Sequence, residues 1–505
     1  MQLQVEKEKE IVGYVSEKNA FIDEKAIALL GEKSNFREIV DSLVSEGIVF
    51  LNQEAVEKKL LKTKLDSVAP ETVAVSNAGF KPLAKEFKSN FRLLPKTDVT
   101  GQSNSEGKAK DFLGYFRRKF ELLSKLLKKR QGLSPRPIIS LRAMPKGKPV
   151  DLIAMVFKKW VTKNGHHAFV LEDQEAQCIG LIMKDDVKNA PLAERMMVDG
   201  VIAIKAIKWN ENMLIIKDVF WPDMPIRQNK MVETELAIAS TSDFHIGSRL
   251  FLEKECNSFI NWLNGREGGE KEREQAGKVK YLVISGDNVD GVGVYPSQYN
   301  ELAIKDVYKQ YEEFSRLIMQ VPEYIEIFII PGQHDAVRWA DPQPAIPKEF
   351  VPALYERSNV HFIGSPSWFE IEGLKALIYH GGALHDLIGS IASLNSEHPE
   401  KAMIEALKKR DIMSTYGLKQ PYVPEKEDFL VIKEEPDLVF IGDMHHNAYG
   451  NYRGATVINS GTWQARTEYQ VKLGHVPTPC IVPVYEMATG KITEKRFMGG
   501  SQDEA

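Results

Sequence analysis

The sequence predicts an α+β chain of several domains, and three observations carry that prediction. Five apolar runs in the second half each stop at Asp, His or Gln with a Gly alongside. Five shorter β-rich runs separated by turn residues precede them, and the first sixty or so residues show only helical periodicity. At 505 residues the chain has room for about three domains, each large enough for a core of its own.

Residues 1–64 are expected to form a small helical module. From about Glu17 to Thr63, Ala26 to Leu30 and Val56 to Leu61 offer short apolar faces. Asn35 and Glu38 make a capping pair before Ile39, Leu43 and Val44, and Gly47 closes that helix. Such a module suits docking on another protein or is an ordinary appendage, and it carries no catalytic constellation. Residues 65–107 lose periodicity; Pro70, Pro82, Pro95 and the polar run from Thr100 to Gly107 predict a flexible linker. Phe80, Phe87 and Phe91 are unusual for a spacer and imply that part of it docks. Residues 108–131 form a basic amphipathic helix, with Phe112, Phe116, Phe120, Leu123 and Leu127 on one face and nine Lys or Arg against two acids. It would track DNA or an acidic partner, or be a solvated face.

Residues 132–230 change to strand logic. Val150 to Phe157, His167 to Asp173, Ile179 to Met183, Gly200 to Ala206 and Met213 to Asp218 are β-rich, with turns at Lys163 to His166 and Asn210 to Asn212. Five short strands suggest an OB-fold barrel. Such barrels often stack single-stranded bases on aromatics, and Phe157, Trp160 and Trp209 are the candidates.

Residues 231–500 carry the chemistry. The run Leu236 to Ala239 leads into Ser242-Asp243-Phe244-His245-Ile246-Gly247, whose Asp and His, two apart, leave a strand on one side. Tyr281 to Ser285 precedes Gly286-Asp287-Asn288. Ile325 to Ile330 precedes Pro331-Gly332-Gln333-His334-Asp335. Ala376 to Tyr379 precedes His380-Gly381-Gly382, and Asp437 to Ile441 precedes Gly442-Asp443-Met444-His445. A single DxH or GD is a weak signal; the set is a strong one, because glycines at strand ends let backbone approach a metal or phosphate. Carboxylates, imidazoles and an amide without thiolates suit Mn, Fe, Zn or Mg. One shared Asp can bridge two such ions about 3.5 to 4 Å apart, lowering the pKa of a bridging water and clamping phosphoryl oxygens during displacement. The chemistry this points to is phosphoester hydrolysis. Helical stretches, Ile304 to Met319 and Ile404 to Lys409, alternate with these strands.

The order DxH, GDNVDG, GQHD, HGG and GDMH resembles the calcineurin-like metallophosphoesterases. Across Pro135 to Gly490, the stretches from Gly286 to Pro296, Pro331 to Arg338 and Asn459 to Gln464 resemble the small subunit of archaeal family D DNA polymerase. That resemblance implies a β-sandwich flanked by helices, behind an OB-fold domain that packs on it and helps bind a large polymerising subunit. It further implies a metal-dependent 3′ to 5′ DNA exonuclease that proofreads mispaired primer ends. The alternative it allows is a noncatalytic scaffold, since the accessory subunits of eukaryotic replicative polymerases look similar but have lost ligands.

By the same resemblance Asp243, His245 and His445 would hold a first ion, Asp287 would bridge, and Gln333, His380 and Asp443 would face a second. The two divalent ions would be Mn first, with Mg, Fe or Zn as alternatives. His334 would protonate the leaving oxygen and Asp335 would orient it. Arg249 and Arg338 would grip phosphates or pair with local carboxylates, and His446 would substitute as a ligand or touch phosphate. Tyr295 and Trp463 would separate the terminal base pair or wall the pocket. Two departures fall on the second ion: Gln333 stands where the superfamily usually has Asn, and Asp443 where GHxH has its first His.

Net charge and segment lengths bound the partners. A formal charge of -4 argues against nonspecific DNA binding by the whole surface, so DNA with a 3′ end would be met locally or through the large subunit. No apolar run approaches the roughly 20 residues of a bilayer span, and the N-terminus lacks a signal-peptide core, so no membrane association is expected and the location is cytoplasmic, with the nucleoid. Cys178, Cys256 and Cys480 lie far apart without metal spacing. The acidic tail, residues 501–505, is expected to be mobile.

Overall fold

The computed structural model describes residues 2–18, 20–31, 36–45, 48, 50–53, 55–56, 80–472 and 474–498. The chain forms two compact units, 1–79 and 80–505. Asn35, Gly47, most of the expected apolar face from Val56 to Leu61, residues 65–79 of the expected linker and the tail 501–505 lie outside the described residues.

The first unit has helices Gln2–Glu17, Glu24–Gly31 and Phe36–Ser45, with a short parallel pairing of β1 (Phe21–Ile22) and β2 (Phe50–Leu51). Ile11 and Val15 pack with Ala26, Leu30, Ile39, Val40, Leu43 and Val56. The first helix begins well before the expected start near Glu17. Its apolar anchors are few among charged residues, so its periodicity is faint.

The second unit opens with a correction to the linker. Residues 80–107 are ordered on the sandwich: β3 (Phe91–Leu93) pairs antiparallel with a strand some 280 residues away, and Phe87 and Phe91 pack against the core between the sheets. Phe80 lies so close to Gly265 that a Cβ there would meet its ring at 2.2 Å. A three-residue strand whose partners are distant in sequence leaves no local period to read.

The helix Ala109–Lys128 then bridges two cores. Leu123 and Leu127 pack on Ile153, Met155, Val201 and Ala203, while Tyr115 packs among Leu384, Ile412 and Tyr422. Lys119, on the basic face by sequence, is fully buried, with Nζ 2.7 Å from Asp411 Oδ2. The helix is therefore in part a structural bracket. Arg117, Lys125, Lys128, Lys129 and Arg130 remain exposed.

The next strands close a five-stranded barrel. β4 (Pro135–Arg136) flanks β5 (Pro149–Val161), β6 (His167–Glu172), β7 (Gln177–Ile182), β8 (Val201–Lys208) and β9 (Met213–Phe220), in the order β5-β6-β7-β9-β8 with β8 returning to β5. The barrel sits on the following domain through Arg195 with Glu405, Lys409 Nζ on the Arg195 carbonyl at 2.8 Å, and Asp223 with Tyr452 and Arg453. Phe157, Trp160 and Trp209 stay exposed.

Two six-stranded mixed sheets follow. One runs β13-β12-β11-β10-β19-β20, from β10 (Ala237–Thr241), β11 (Val279–Ile284), β12 (Glu326–Ile329), β13 (Val360–Phe362), β19 (Ile481–Glu486) and β20 (Ile492–Arg496). The other runs β17-β18-β16-β15-β14-β3, from β14 (Ser367–Ile371), β15 (Leu374–Ile378), β16 (Leu438–Ile441), β17 (Ala448–Tyr452) and β18 (Ala455–Asn459). The strands alternate between two cores. Tyr281, Val283, Phe328, Ile378 and Phe440 meet between the sheets. Leu282, Ile284 and Ile327 face helices Glu253–Leu263 and Val307–Ile318, and Leu377, Val439 and Ile441 face Gly382–Ser390 and Pro399–Lys409. Burial on both faces is why these strands read as unbroken apolar runs. β10, β11 and β12 are mutually parallel, as are β15 and β16, so each sheet delivers its ligand-bearing loops to one edge.

No helix among the described residues is long and apolar enough to cross a membrane. The three cysteines are buried and free.

Candidate metal centre

The five loops converge. His245 Nε2 lies 3.0 Å from His445 Nε2, and Asp243 Oδ1 is 3.3 Å from the latter and 3.8 Å from the former. Asp287 Oδ2 is 3.8 Å from His245 Nε2 and 3.3 Å from His380 Nε2, and His380 Nε2 is 3.8 Å from Asp443 Oδ1. Asp287 thus lies between two clusters of donor atoms, one around Asp243, His245 and His445 and one around His380 and Asp443.

The backbone is strained to achieve this. Asp243, His245, Asp287, Asp443 and His445 all have φ between 49° and 67°, a left-handed conformation uncommon outside glycine. Five such residues in one pocket mark a place where geometry is held by the surrounding fold. Glycine is required where these loops touch: a Cβ on Gly332 would meet Asp287 Oδ1 at 2.2 Å, and one on Gly286 would meet His380 Nδ1 at 2.5 Å. Gly332→Ala is accordingly expected to displace Asp287 and to weaken Mn binding by about 10- to 100-fold, the scale of a disturbed ligand support. Calorimetric titration of Mn into the metal-free chain measures it.

The donor atoms fit divalent cations. Asp243 Oδ1, His380 Nε2 and Gln333 Oε1 are buried without a hydrogen-bond partner, a costly condition for polar atoms. The outer ring nitrogens are engaged instead: His380 Nδ1 on the Ser285 carbonyl at 2.6 Å and His245 Nδ1 on Asp290 Oδ1 at 3.0 Å. In the neutral ring each contact puts the proton on Nδ1 and turns the Nε2 lone pair inward, the usual second support of a metal-binding His. Two facing lone-pair atoms at 3.0 Å, those of His245 and His445, are explained by a cation between them, since neighbouring ligands at about 2.1 Å from one ion stand roughly 3 Å apart.

Charges in the pocket sustain each other. Burial alone would raise Asp287, but His380, His334 and His245 drive its carboxyl well below the usual range. Burial would lower His380, yet Asp287, Asp243 and Asp443 raise it well above an ordinary imidazole. Burial would raise Asp443, and His385 and His380 hold it down to about 2.

His334 stands at the edge of this set. Its backbone N–H donates to Asp287 Oδ1 at 2.9 Å, and its Nδ1 is 2.7 Å from the Asp290 carbonyl, leaving Nε2 free to meet a substrate. Asp335 does not orient it, which corrects that expectation. Asp335 Oδ2 accepts from the backbone N–H groups of Asn288 and Gly332 and from Asn288 Nδ2, and Oδ1 accepts from Tyr311. It clamps two ligand loops together, and burial with the nearby Asp287 pushes it up to about 6.

Arg338 is likewise structural rather than a phosphate grip. It pairs with Glu425 Oε1 at 3.0 Å and donates to the Pro342 carbonyl and Ser103 Oγ. Arg249 is exposed at the end of the first ligand loop. His446 is half-buried with Nδ1 unpartnered, and burial lowers its pKa. Trp463 is buried against Phe244 and Phe259, with Nε1 donating to Thr241 Oγ1, so it walls the pocket from behind. Tyr295 stands 6.1 Å from the His334 ring.

Two residues escaped the sequence reading. Asp290, the second Asp of GDNVDG, holds His245 through its Nδ1; its place in that motif was the available signal. His385 sits with Nε2 3.2 Å from Asp443 Oδ2, and nothing in its local sequence sets it apart from a helical surface residue.

Residues 238–451 match the model of the family that comprises the second, smaller subunits of DNA polymerases alpha and epsilon. The chain is similar to the DNA polymerase II small subunit of Archaeoglobus fulgidus, 37% identical over 482 residues that cover 95% of this chain and 96% of that protein. It is 34% identical over 491 residues to the protein of the same name from Methanothermobacter thermautotrophicus, covering 96% and 99%. The Methanocaldococcus jannaschii counterpart is 36% identical over 83% of this chain and 70% of its own length. Among solved structures, a novel archaeal phosphodiesterase aligns with 52% of this chain and 99% of its own at 17% identity, with a TM-score of 0.27.

Proposed function

We propose, from the premise that this chain belongs to the family of archaeal DNA polymerase II small subunits, that it is a calcineurin-like two-metal phosphodiesterase trimming mispaired 3′ primer ends for a large polymerising subunit. The observation that carries the reading is the convergence of Asp243, His245, Asp287, His380, Asp443 and His445, with buried donor atoms such as Asp243 Oδ1 and His380 Nε2 that no protein group satisfies.

Asp243, His245 and His445 would hold one ion, His380, Asp443 and Gln333 the other, and Asp287 both. Mn suits this oxygen-rich donor set best, with Mg, Fe or Zn as alternatives. Bound there, the ions would supply Lewis acidity and an activated water for in-line displacement at phosphorus. His334 would donate the Nε2 proton to the departing O3′ of the shortened primer. Its Nδ1, tied to the Asp290 carbonyl, fixes the ring for that transfer. Asp287 and Asp290 offset the burial that would otherwise lower His334 and raise it, so the protonated donor is available near neutrality. Arg249 and His446 are left as phosphate contacts.

The exposed aromatics of the barrel and the basic face of the bracing helix are read as contacts for the large subunit and for DNA. A role in replication would place the protein in the cytoplasm with the chromosome.

The test is Mn-dependent digestion of 5′-labelled DNA with a 3′-mispaired end, by the full chain with and without the large subunit. Wild type is expected to shorten the primer stepwise, and His334→Ala to do so about 100-fold more slowly, at the low end for loss of a general acid. No trimming by wild type with any metal or partner would leave the noncatalytic scaffold, the reading that the Gln333 and Asp443 departures favour.

A further inference from the structure

We propose that His385 is a positioning residue for the second ion, holding Asp443 so that one carboxylate oxygen stays turned toward His380. The inference rests on the two-ion reading above and adds to it a residue with no assigned role.

Asp443 is pinned at its backbone but not at its side chain. Its N–H donates to Asp243 Oδ2 at 3.0 Å and its φ is 67°, so the Cα–Cβ direction is set. The carboxylate itself turns about a broad terminal torsion that packing alone defines poorly. The two oxygens have different neighbours: Oδ1 faces His380 Nε2 at 3.8 Å, and Oδ2 faces His385 Nε2 at 3.2 Å. A proton on His385 Nε2 donated to Oδ2 fixes the torsion and leaves Oδ1 as the ligand atom.

His385 is itself held by rigid surroundings. It lies in the first turn of the helix Gly382–Ser390, which begins directly after the His380-Gly381 pair. That start is locked by Ala383 N–H donating to the Tyr379 hydroxyl at 2.7 Å, and by that hydroxyl donating to the buried Asp341 at 2.8 Å. One residue on, Asp386 accepts from the backbone N–H groups of Lys419 and Gln420, each at 3.0 Å. The imidazole is thus aimed by the same turn that carries His380, so the two rings approach Asp443 from one element and hold one oxygen each.

His385 is also replaceable without cost to the core, since about half of its side chain is exposed, 49% against 14% for Asp443. A residue with one edge in solvent and the other on a buried carboxylate acts through that carboxylate, and supports of this kind typically contribute about 10- to 100-fold to metal affinity.

The experiment is calorimetric titration of Mn into the metal-free full-length chain, with low-temperature EPR of the loaded protein to read exchange coupling between paired ions. Wild type is expected to take two ions and show coupling. His385→Ala is expected to keep the first site, weaken the second by about 10- to 100-fold and lose coupling at matched Mn, with unchanged thermal unfolding of the metal-free protein. His385→Gln, whose amide nitrogen reaches the position of Nε2, is expected to restore the second site. Two ions bound with wild-type affinity by His385→Ala would overturn the proposal and leave the two-ion reading intact. Loss in both variants would overturn it in favour of direct ligation by His385. Fewer than two ions on wild type would overturn the two-ion reading itself.

Discussion

Asp287→Asn is expected to reduce Mn-dependent primer trimming by about 10⁴-fold, the scale of removing one member of a group that acts as a unit, while leaving the fold in place. Asn is nearly isosteric and is among the residues that best tolerate the left-handed conformation Asp287 adopts, at φ 49°. What it removes is the charge between the two donor clusters, 3.3 Å from His380 Nε2 and 3.8 Å from His245 Nε2. The same substitution separates binding from chemistry in thermal unfolding. Mn at a hundred times its dissociation constant stabilises a folded protein by about 2.7 kcal/mol per site. Wild type should melt several degrees higher with Mn than with chelator, and Asp287→Asn should lose most of that difference. Trimming by Asp287→Asn at the wild-type rate would show that this pocket is not the nuclease centre.

The parts of the site legible in sequence are those whose geometry is local. A buried strand ending at Gly and Asp writes its register and ligand into consecutive residues, and the five runs ending near Asp243, Asp287, Gln333, His380 and Asp443 all prove to be such strand ends. The parts that were not legible are set by partners far along the chain. Asp335 looks like an orienter of His334 because it is adjacent, yet its side chain turns to Asn288 and Tyr311. Arg338 follows a metal motif by three residues but is captured by Glu425. Phe91 to Leu93 reads as spacer because its strand identity comes from Phe369 to Ile371 across the sheet. His385 has the plainest sequence surroundings of all and acquires meaning only where its helix points it at Asp443. Motif spacing thus locates the ligands, and tertiary contacts decide which polar neighbours serve chemistry.

Lys119→Ala is expected to be the most damaging change outside the pocket, lowering stability by about 3 to 5 kcal/mol, the range for breaking one side of a buried ion pair. The Lys119 ammonium has three acceptors for its three protons: Asp411 Oδ2 at 2.7 Å and the carbonyls of Met413 and Ser414, each at 2.9 Å. Its removal leaves the Asp411 carboxylate buried without that cation. Burial already pushes Asp411 up to about 6 even with Lys119 opposing it. A carboxyl whose folded pKa is raised favours the fold fully below its unfolded value, near 4, and loses that contribution as pH rises through the folded value. Without Lys119 the folded value moves higher still. The penalty of Lys119→Ala should therefore be largest above neutrality, where Asp411 must stay charged and unpaired, and shrink as pH falls below about 6 and the carboxyl becomes neutral. Urea midpoints of the full chain at mildly acidic and mildly alkaline pH test this, and an equal penalty at both would mean that lost packing, not charge, is the cause. The double variant Lys119→Met with Asp411→Leu, which removes both charges at similar volume, should recover much of the loss. Because this lysine ties the helix that bridges the barrel core to the core behind the second ion's loops, the same measurement asks whether the barrel and the metal domain are held together by charge or by their apolar faces.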